Sequence, residues 1–147
     1  MLNNVAVEDA RLKKASLASN KTVNNSVVLV DTDLVIPVYA NELWMLEINL
    51  FYTTNGTADL DIKLDVPAGA TARMVNAFGG VAAAETDLTT EYWIATTIAA
   101  AQTFRITVII DTAAAAGNIT LQFAQHTATV VDTIVKAGSS ITAIRVS

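Results

Sequence analysis

Apolar and charged residues alternate without a break in the stretch Asp59-Leu60-Asp61-Ile62-Lys63-Leu64-Asp65-Val66. A period of two is that of a β-strand, because successive side chains of a strand point to opposite faces of the sheet. The pattern predicts a strand with its aliphatic side chains buried and its charged side chains solvated. A slip of one residue would place the aspartates in the core, so the register is strongly specified. Pro67 lacks a backbone N–H and ends the strand.

The same alternation recurs on both sides of this stretch. It is clearest at 44–51, 103–110 and 119–124, and weaker strands are predicted, among others, at 26–30, 34–38, 73–78 and 92–98. Turn signals such as Asn55-Gly56 and Gly117-Asn118 separate the strands. About eight or nine short strands of this kind indicate an all-β fold, an antiparallel, jelly-roll-like β-sandwich.

The first twenty residues differ from the rest in their polarity and in the spacing of their apolar residues. We predict an N-terminal arm at 1–20 and a β-sandwich domain at 21–147. The arm is polar, and a short helix around 8–17 is compatible with its pattern. Two interpretations stay open, a frayed terminus and an arm that orders on a partner. The arm has no apolar core of a signal peptide, so we expect a protein that is made without secretion by that route.

Composition excludes several classes of protein. The chain has 147 residues, 52% of them apolar and 16% charged, and it has no cysteine and a single histidine. Disulfides, thiolate metal sites and three-histidine metal sites are therefore impossible. No stretch approaches the roughly 18 apolar residues of a membrane span, so we expect no membrane association. The net charge of −5 argues against binding nucleic acid, whose phosphates it would repel.

The sequence offers no support for catalysis. A serine hydrolase triad needs a nucleophile, a base and an orienting acid, and the chain has no Gly-x-Ser-x-Gly elbow. His126 follows a predicted strand near Asp132, which favours a surface histidine at a strand end. The alternation predicts a solvated strand face that carries Asp59, Asp61 and Asp65. Lys63 lies between them and argues against a Ca²⁺ site. We therefore expect a protein that is not an enzyme and that has no cofactor and no metal.

Three aromatic residues are candidates for contact with a ligand. Trp44 is in phase with Leu46 and Ile48, which predicts that it packs in the core. Tyr92 and Trp93 are adjacent on one predicted strand, so one of them should face inward and the other outward. The outward ring is a candidate contact residue for a partner or a neighbouring subunit.

A succession of short segments resembles a known group of proteins. The segments are 21–26, Leu29, Asp31, 33–34, 37–38, 40–42 and Trp44, then 66–71, 117–125, 135–139 and 141–146. Their order and spacing are similar to those of tailed-bacteriophage virion structural proteins, found as head decoration proteins and as domains of minor tail or fibre proteins. The resemblance implies a small β-sandwich that works as a homotrimer on a larger shell, and it brings no catalytic residue.

The resemblance leads to a functional expectation. We expect a capsid decoration (cement) protein that binds the major capsid protein on the outside of the assembled head, stabilises the head, and is assembled in the host cytoplasm. The arm is the expected clamp, with partner-binding residues Val5, Val7, Arg11, Leu12, Lys13 and Lys14. The alternative is a tail, fibre or baseplate protein with a receptor- or glycan-binding role, which would use Tyr92 or Trp93.

Overall fold

The computed structural model of the chain describes residues 11–75, 86–97 and 99–147. All regular secondary structure in these ranges is β, and none of their residues lies in a helix that could cross a membrane. The strands are β1 (Leu12–Ser16), β2 (Lys21–Val23), β3 (Val30–Val38), β4 (Leu43–Thr53), β5 (Leu60–Asp65), β6 (Thr71–Val75), β7 (Thr86–Asp87), β8 (Tyr92–Ile94), β9 (Gln102–Asp111), β10 (Gly117–Ala124), β11 (Thr133–Val135) and β12 (Ser140–Arg145).

The strands form two antiparallel sheets. The larger sheet has the order β1-β12-β4-β9-β6-β7, with β11 paired to β4 and to β2. The smaller sheet has the order β3-β10-β5-β8. The two sheets bury their facing side chains against each other, so the prediction of an antiparallel β-sandwich is confirmed.

The core follows from the alternation in the sequence. On β4 the side chains of Trp44, Leu46, Ile48 and Leu50 are buried, and β9 lies beside β4 with Ile106, Val108 and Ile110 in register with them. The smaller sheet contributes the aliphatic side chains of β3, β5 and β10, and Phe123. Each such side chain contributes on the order of 1.5–3 kcal/mol by leaving water. The prediction that Trp44 packs in the core is confirmed.

Strand β5 has the predicted register, but its charged face is only partly solvated: Asp65 is exposed as predicted, whereas the other two aspartates are not. Leu60, Ile62 and Leu64 are fully buried, as the alternation requires. Asp59 and Asp61 are also buried, with only 8% and 6% of their surfaces exposed. The prediction that these carboxylates are solvated was wrong, because side chains from two distant segments of the chain cover them.

One local prediction was also wrong, and one possibility that the pattern allowed is not realised. Residues 26–29 are not a strand, and β3 instead begins at Val30 and continues to Val38. Residues 12–16, where the pattern was compatible with a helix, form β1 and pair with β12. The part of the predicted arm that the structure describes is therefore joined to the larger sheet by hydrogen bonds. Residues 76–78 of one predicted strand lie outside the described residues.

Strand β4 connects the two ends of the sandwich. The loop 39–42 precedes it and lies at the end that also holds the loop 112–116. The loop 54–59 follows it and lies at the other end, beside residues 95–97 and the loop 125–132. Each end carries one cluster of side chains organised by buried carboxylates, one at the first end and two at the other.

Candidate functional site

Strand β8 presents Trp93 on the outer face of the smaller sheet. It is the edge strand of that sheet and pairs only with β5 among the described strands. Tyr92 points inward and lies 6.1 Å from the ring of Phe104. Trp93 points outward, with 53% of its surface exposed. The prediction that one of the two rings faces inward and the other outward is confirmed.

The ring of Trp93 is stacked on the imidazole of His126. Their centroids are 4.7 Å apart and their planes differ by 12°. His126 lies in the loop after β10, and the backbone N–H of the next residue, Thr127, donates to the carbonyl of Ala58. The stack therefore brings together an edge strand and a loop that lie far apart in the sequence.

Asp59 fixes the orientation of the indole. Its Oδ2 accepts a hydrogen bond of 3.0 Å from Nε1 of Trp93, and its Oδ1 accepts one of 2.7 Å from the backbone N–H of Thr96. Asp59 has a φ of 51°, in the left-handed region that aspartate tolerates better than most residues. A side chain at Gly56 would place its Cβ 2.9 Å from the carbonyl oxygen of Thr96, so this close approach of two loops requires glycine.

Asp61 holds the imidazole of His126. The distances from Nδ1 to Oδ1 and Oδ2 of Asp61 are 3.0 and 3.1 Å. Because an ionised carboxylate only accepts hydrogen bonds, Nδ1 carries the hydrogen and Nε2 of the neutral ring is an acceptor. We call Asp59, Asp61, Trp93, Thr96 and His126 the Trp93 cluster.

The sequence alone did not reveal this cluster. Asp61 is 65 residues from His126 along the chain, and the nearby Asp132 had been the apparent neighbour. The contact depends on strand order: β5 lies between β10 and β8, so Asp61 is opposite both Ala124 and Trp93. Two features of the sequence could have pointed to the cluster: the single histidine, His126, just after β10, and Trp93 on a strand where one of two aromatic rings had to face outward.

A second carboxylate, that of Glu42, organises the other end of the sandwich. It accepts hydrogen bonds from Nε1 of the buried Trp44, from the backbone N–H of Tyr39 and from the guanidinium of Arg145, at 2.9, 2.9 and 2.8 Å. Burial by itself raises the pKa of Glu42, but these hydrogen bonds outweigh it and hold the pKa below its usual 4.5. We call Tyr39, Glu42, Trp44 and Arg145 the Glu42 cluster.

The predicted partner-binding residues of the arm fall into three groups. Val5 and Val7 lie outside the described residues. Lys13 points between the sheets, where its ammonium donates to the carbonyl of Pro37 and lies 4.8 Å from the centroid of the Trp44 ring. Leu12 and Lys14 are exposed on β1, and Arg11 is exposed just before it. The structure thus brings these three together at an edge of the larger sheet, and it places Trp93 on the other sheet.

An exposed row of apolar side chains crosses the outer face of the larger sheet. The register places Leu12 of β1 opposite Ile144 of β12, Ile144 opposite Met45 of β4, and Met45 opposite Ile109 of β9. Leu12, Ile144 and Met45 have 55%, 43% and 38% of their surfaces exposed. We call these four residues the apolar row. Four neighbouring strands give it a length of roughly 14 Å.

The described residues offer little for catalysis or metal binding. No group of three or more acidic, histidine or cysteine side chains is placed to hold a metal ion in the ranges that the structure covers. The pair Asp61–His126 resembles the acid and base of a triad, but within the same ranges no hydroxyl group donates to the imidazole. The arrangement is therefore suited to holding two rings in place.

Comparison with known proteins identifies the fold. The structure of infectious bursal disease virus, Gx strain, matches 92% of this chain with a TM-score of 0.50 and 14% identity. A mutant VP2 protein of the same virus, in derived T=1 particles, matches 92% of it with a TM-score of 0.51 and 14% identity. The chain spans about a third of the length of these viral proteins, 33% and 32%. At such identity the likeness shows a shared fold alone. No protein-family model and no curated protein sequence matches the chain.

Proposed function

We propose that this chain is a structural component of a virus particle, a decoration protein on the outside of an assembled bacteriophage head. The observation that carries the proposal is the apolar row. The outer face of an antiparallel sheet in a monomer is commonly polar, and a contiguous apolar patch on it is typical of an interface. The fold supports the proposal, because VP2 in T=1 particles has the same kind of sandwich.

In this proposal the apolar row packs against a neighbouring copy in a homotrimer. Exposed Arg11 and Lys14 flank Leu12 and meet an acidic surface of the major capsid protein. Binding only to the assembled lattice stabilises that lattice by mass action, and the linked contacts of a trimer raise the effective affinity. The role is non-enzymatic, requires no cofactor, nucleic acid or membrane, and places the protein on the virion exterior after assembly in the host cytoplasm.

The test replaces two residues of the row, Met45→Lys with Ile144→Lys. Sedimentation equilibrium measures the oligomeric state, and co-sedimentation with empty, expanded phage heads measures binding. We expect a trimer that sediments with heads for the wild type, and a folded monomer that stays in the supernatant for the variant. The matched control is Val130→Lys, which alters an equally apolar residue with 80% exposure away from the row. A monomeric wild type, or undiminished binding by the double variant, contradicts the proposal.

The contribution of the arm is tested separately. Removing 1–20 would delete β1 and disturb the sheet, so the deletion stops at residue 10. We expect that this deletion, combined with Arg11→Glu and Lys14→Glu, weakens binding to heads and leaves the trimer intact. Undiminished binding would remove the arm from the mechanism.

A position in the tail, fibre or baseplate is the second candidate. The exposure of Trp93 favours it, because receptor-binding proteins use exposed aromatic rings as contact residues. Electron microscopy of virions labelled with an antibody against this chain separates the candidates. Label over the head supports the decoration role, and label confined to the tail supports the alternative.

A further inference from the structure

We infer that the Trp93 cluster is a binding site for a neutral saccharide, with a pyranose ring stacked on the indole of Trp93. The inference does not depend on docking to a shell, because the cluster lies on the smaller sheet and the apolar row crosses the larger one. It rests on the rigidity of the ring, on the polarity of its surroundings and on the hydrogen-bonding groups beside it.

The indole is held in place before any ligand binds. Its N–H is bonded to the buried Asp59, and the imidazole of His126 lies against its ring. Asp61 in turn fixes the imidazole. A ring that is restrained in this way loses less conformational entropy when a ligand covers it, which is the property of an effective contact residue. More than half of the surface of Trp93 nevertheless stays exposed.

The surroundings of the ring favour a sugar over other ligands. On the outer face of the smaller sheet Trp93 lies opposite Asp61, and further along that face Lys63 and Gln122 face each other on β5 and β10. An apolar protein surface would need apolar neighbours. The carboxylates of Asp59 and Asp61 are both engaged by donors of this chain. A pyranose has apolar C–H faces for the ring and a rim of hydroxyls for the polar neighbours.

Two groups beside the ring have hydrogen-bonding capacity to spare. When the imidazole of His126 is neutral and Nδ1 donates to Asp61, Nε2 is an acceptor to which no described residue donates, on a side chain that is 42% exposed, and a sugar hydroxyl can donate to it. The hydroxyl of Thr96 is buried and has no hydrogen-bond partner among the described residues. Such an orphan is uncommon in native proteins, and an ordered water or a ligand hydroxyl would supply the missing partner. Thr96 belongs to the same cluster, because its backbone N–H donates to Asp59.

The two tryptophans allow a direct test on the unmodified protein. Trp44 is fully buried and Trp93 is half exposed, so acrylamide quenching of tryptophan fluorescence reports mainly on Trp93. The probes are methyl pyranosides of glucose, galactose and N-acetylglucosamine, and the saccharides of a glycan array. We expect at least one of these saccharides to bind and to protect Trp93 from acrylamide. If none binds, or if free arginine or choline protects the ring and the sugars do not, the inference is overturned.

Variants locate the site. Titration calorimetry with the saccharide that binds should show at least about a tenfold loss of affinity for Trp93→Ala. Trp93→Phe, which keeps an aromatic ring on the same strand, should retain part of the binding and guards against a folding defect. Tyr39→Ala removes an aromatic ring of 69% exposure at the opposite end and should bind like the wild type. Undiminished binding by Trp93→Ala overturns the inference. The Met45→Lys, Ile144→Lys variant should keep the sugar affinity, which separates this site from shell docking.

Discussion

The two ends of the sandwich place a tryptophan on a carboxylate in different ways. In the Glu42 cluster the indole N–H of Trp44 donates to Glu42, and the ring is fully buried under Lys13 of β1. In the Trp93 cluster the indole N–H of Trp93 donates to Asp59, and the ring stays half exposed because β8 is an edge strand. A hydrogen bond of the same type, from an indole N–H to a carboxylate, therefore holds a buried ring at one end of the molecule and a half-exposed ring at the other.

The two clusters are expected to differ in role: the Glu42 cluster stabilises the fold, and the Trp93 cluster presents side chains for binding. Glu42 ties together the loop 39–42, β4 and β12 through Tyr39, Trp44 and Arg145. Those bonds stabilise the fold, and the ring that donates to Glu42, that of Trp44, leaves no surface for a partner; the exposed ring of Tyr39 is not bonded to the carboxylate, which takes only its backbone N–H. Asp59 and Asp61 are equally buried, but the side chains that they orient face outward. We expect substitutions at the first cluster to act mainly on the free energy of unfolding, and substitutions at the second mainly on binding.

The largest expected effect is the loss of Glu42. Glu42→Ala leaves the indole N–H of Trp44 and the guanidinium of Arg145 without their acceptor in a buried setting. We expect the free energy of unfolding to fall by about 3 kcal/mol. Urea unfolding followed by circular dichroism measures it. A loss no larger than that of an exposed substitution would show that the Glu42 cluster is not the more structural of the two.

The second effect concerns Asp59. Asp59→Ala removes the acceptor of the backbone N–H of Thr96 and of the indole of Trp93, and it places alanine at a φ of 51°. We expect a loss of about 1–3 kcal/mol in urea unfolding and an increased mobility of Trp93 in fluorescence anisotropy. Asp59→Asn is the matched control, because asparagine tolerates this φ and still offers an oxygen acceptor. An equal loss in both variants would show that one oxygen acceptor is not enough and that the carboxylate, with its charge and its two acceptors, is required.

The third effect is a pH dependence of stability that arises from Glu42. Its pKa in the folded state lies below the usual 4.5, because hydrogen bonds to the carboxylate outweigh the effect of burial. Ionised Glu42 therefore stabilises the fold above pH 4.5, and this stabilisation is lost as the pH falls through the folded-state pKa. We expect the difference in stability between the wild type and Glu42→Gln to be largest near neutral pH and to shrink in acid. Unfolding curves from pH 7 to pH 3 measure it, and a difference that grows in acid contradicts the assignment.

The smallest effect is expected at an exposed ion pair. Glu47 and Arg105 pair at 2.7 Å on the outer face of the larger sheet, and hydrogen bonds from Arg105 and Asn49 hold the pKa of Glu47 below its usual value. Solvent screens such pairs, so Glu47→Gln should leave the unfolding midpoint unchanged within error. A clear shift of the unfolding midpoint in Glu47→Gln would show that this exposed ion pair stabilises the fold, contrary to the expectation.

Alternation made the main strands predictable from the sequence. Leu60, Ile62 and Leu64 recur with a period of two, and so do the core residues of β4 and β9, since one face of each strand has to leave water. The strand β1 was missed because Leu12–Ser16 is polar and only its pairing with β12 makes it a strand. Local propensity contains no information about a partner strand that follows more than a hundred residues later, as β12 does.

The sequence by itself determined the sheet faces, the burial of Trp44 and the opposite orientations of Tyr92 and Trp93, because these depend on the geometry of single strands. Only the tertiary structure decided that Asp59 and Asp61 are buried and that His126 stacks on Trp93. Those contacts require β8, β5 and β10 to be neighbours, and strand order is set by the packing of the whole chain. A charged residue on an outward position is solvated only if nothing else folds over it.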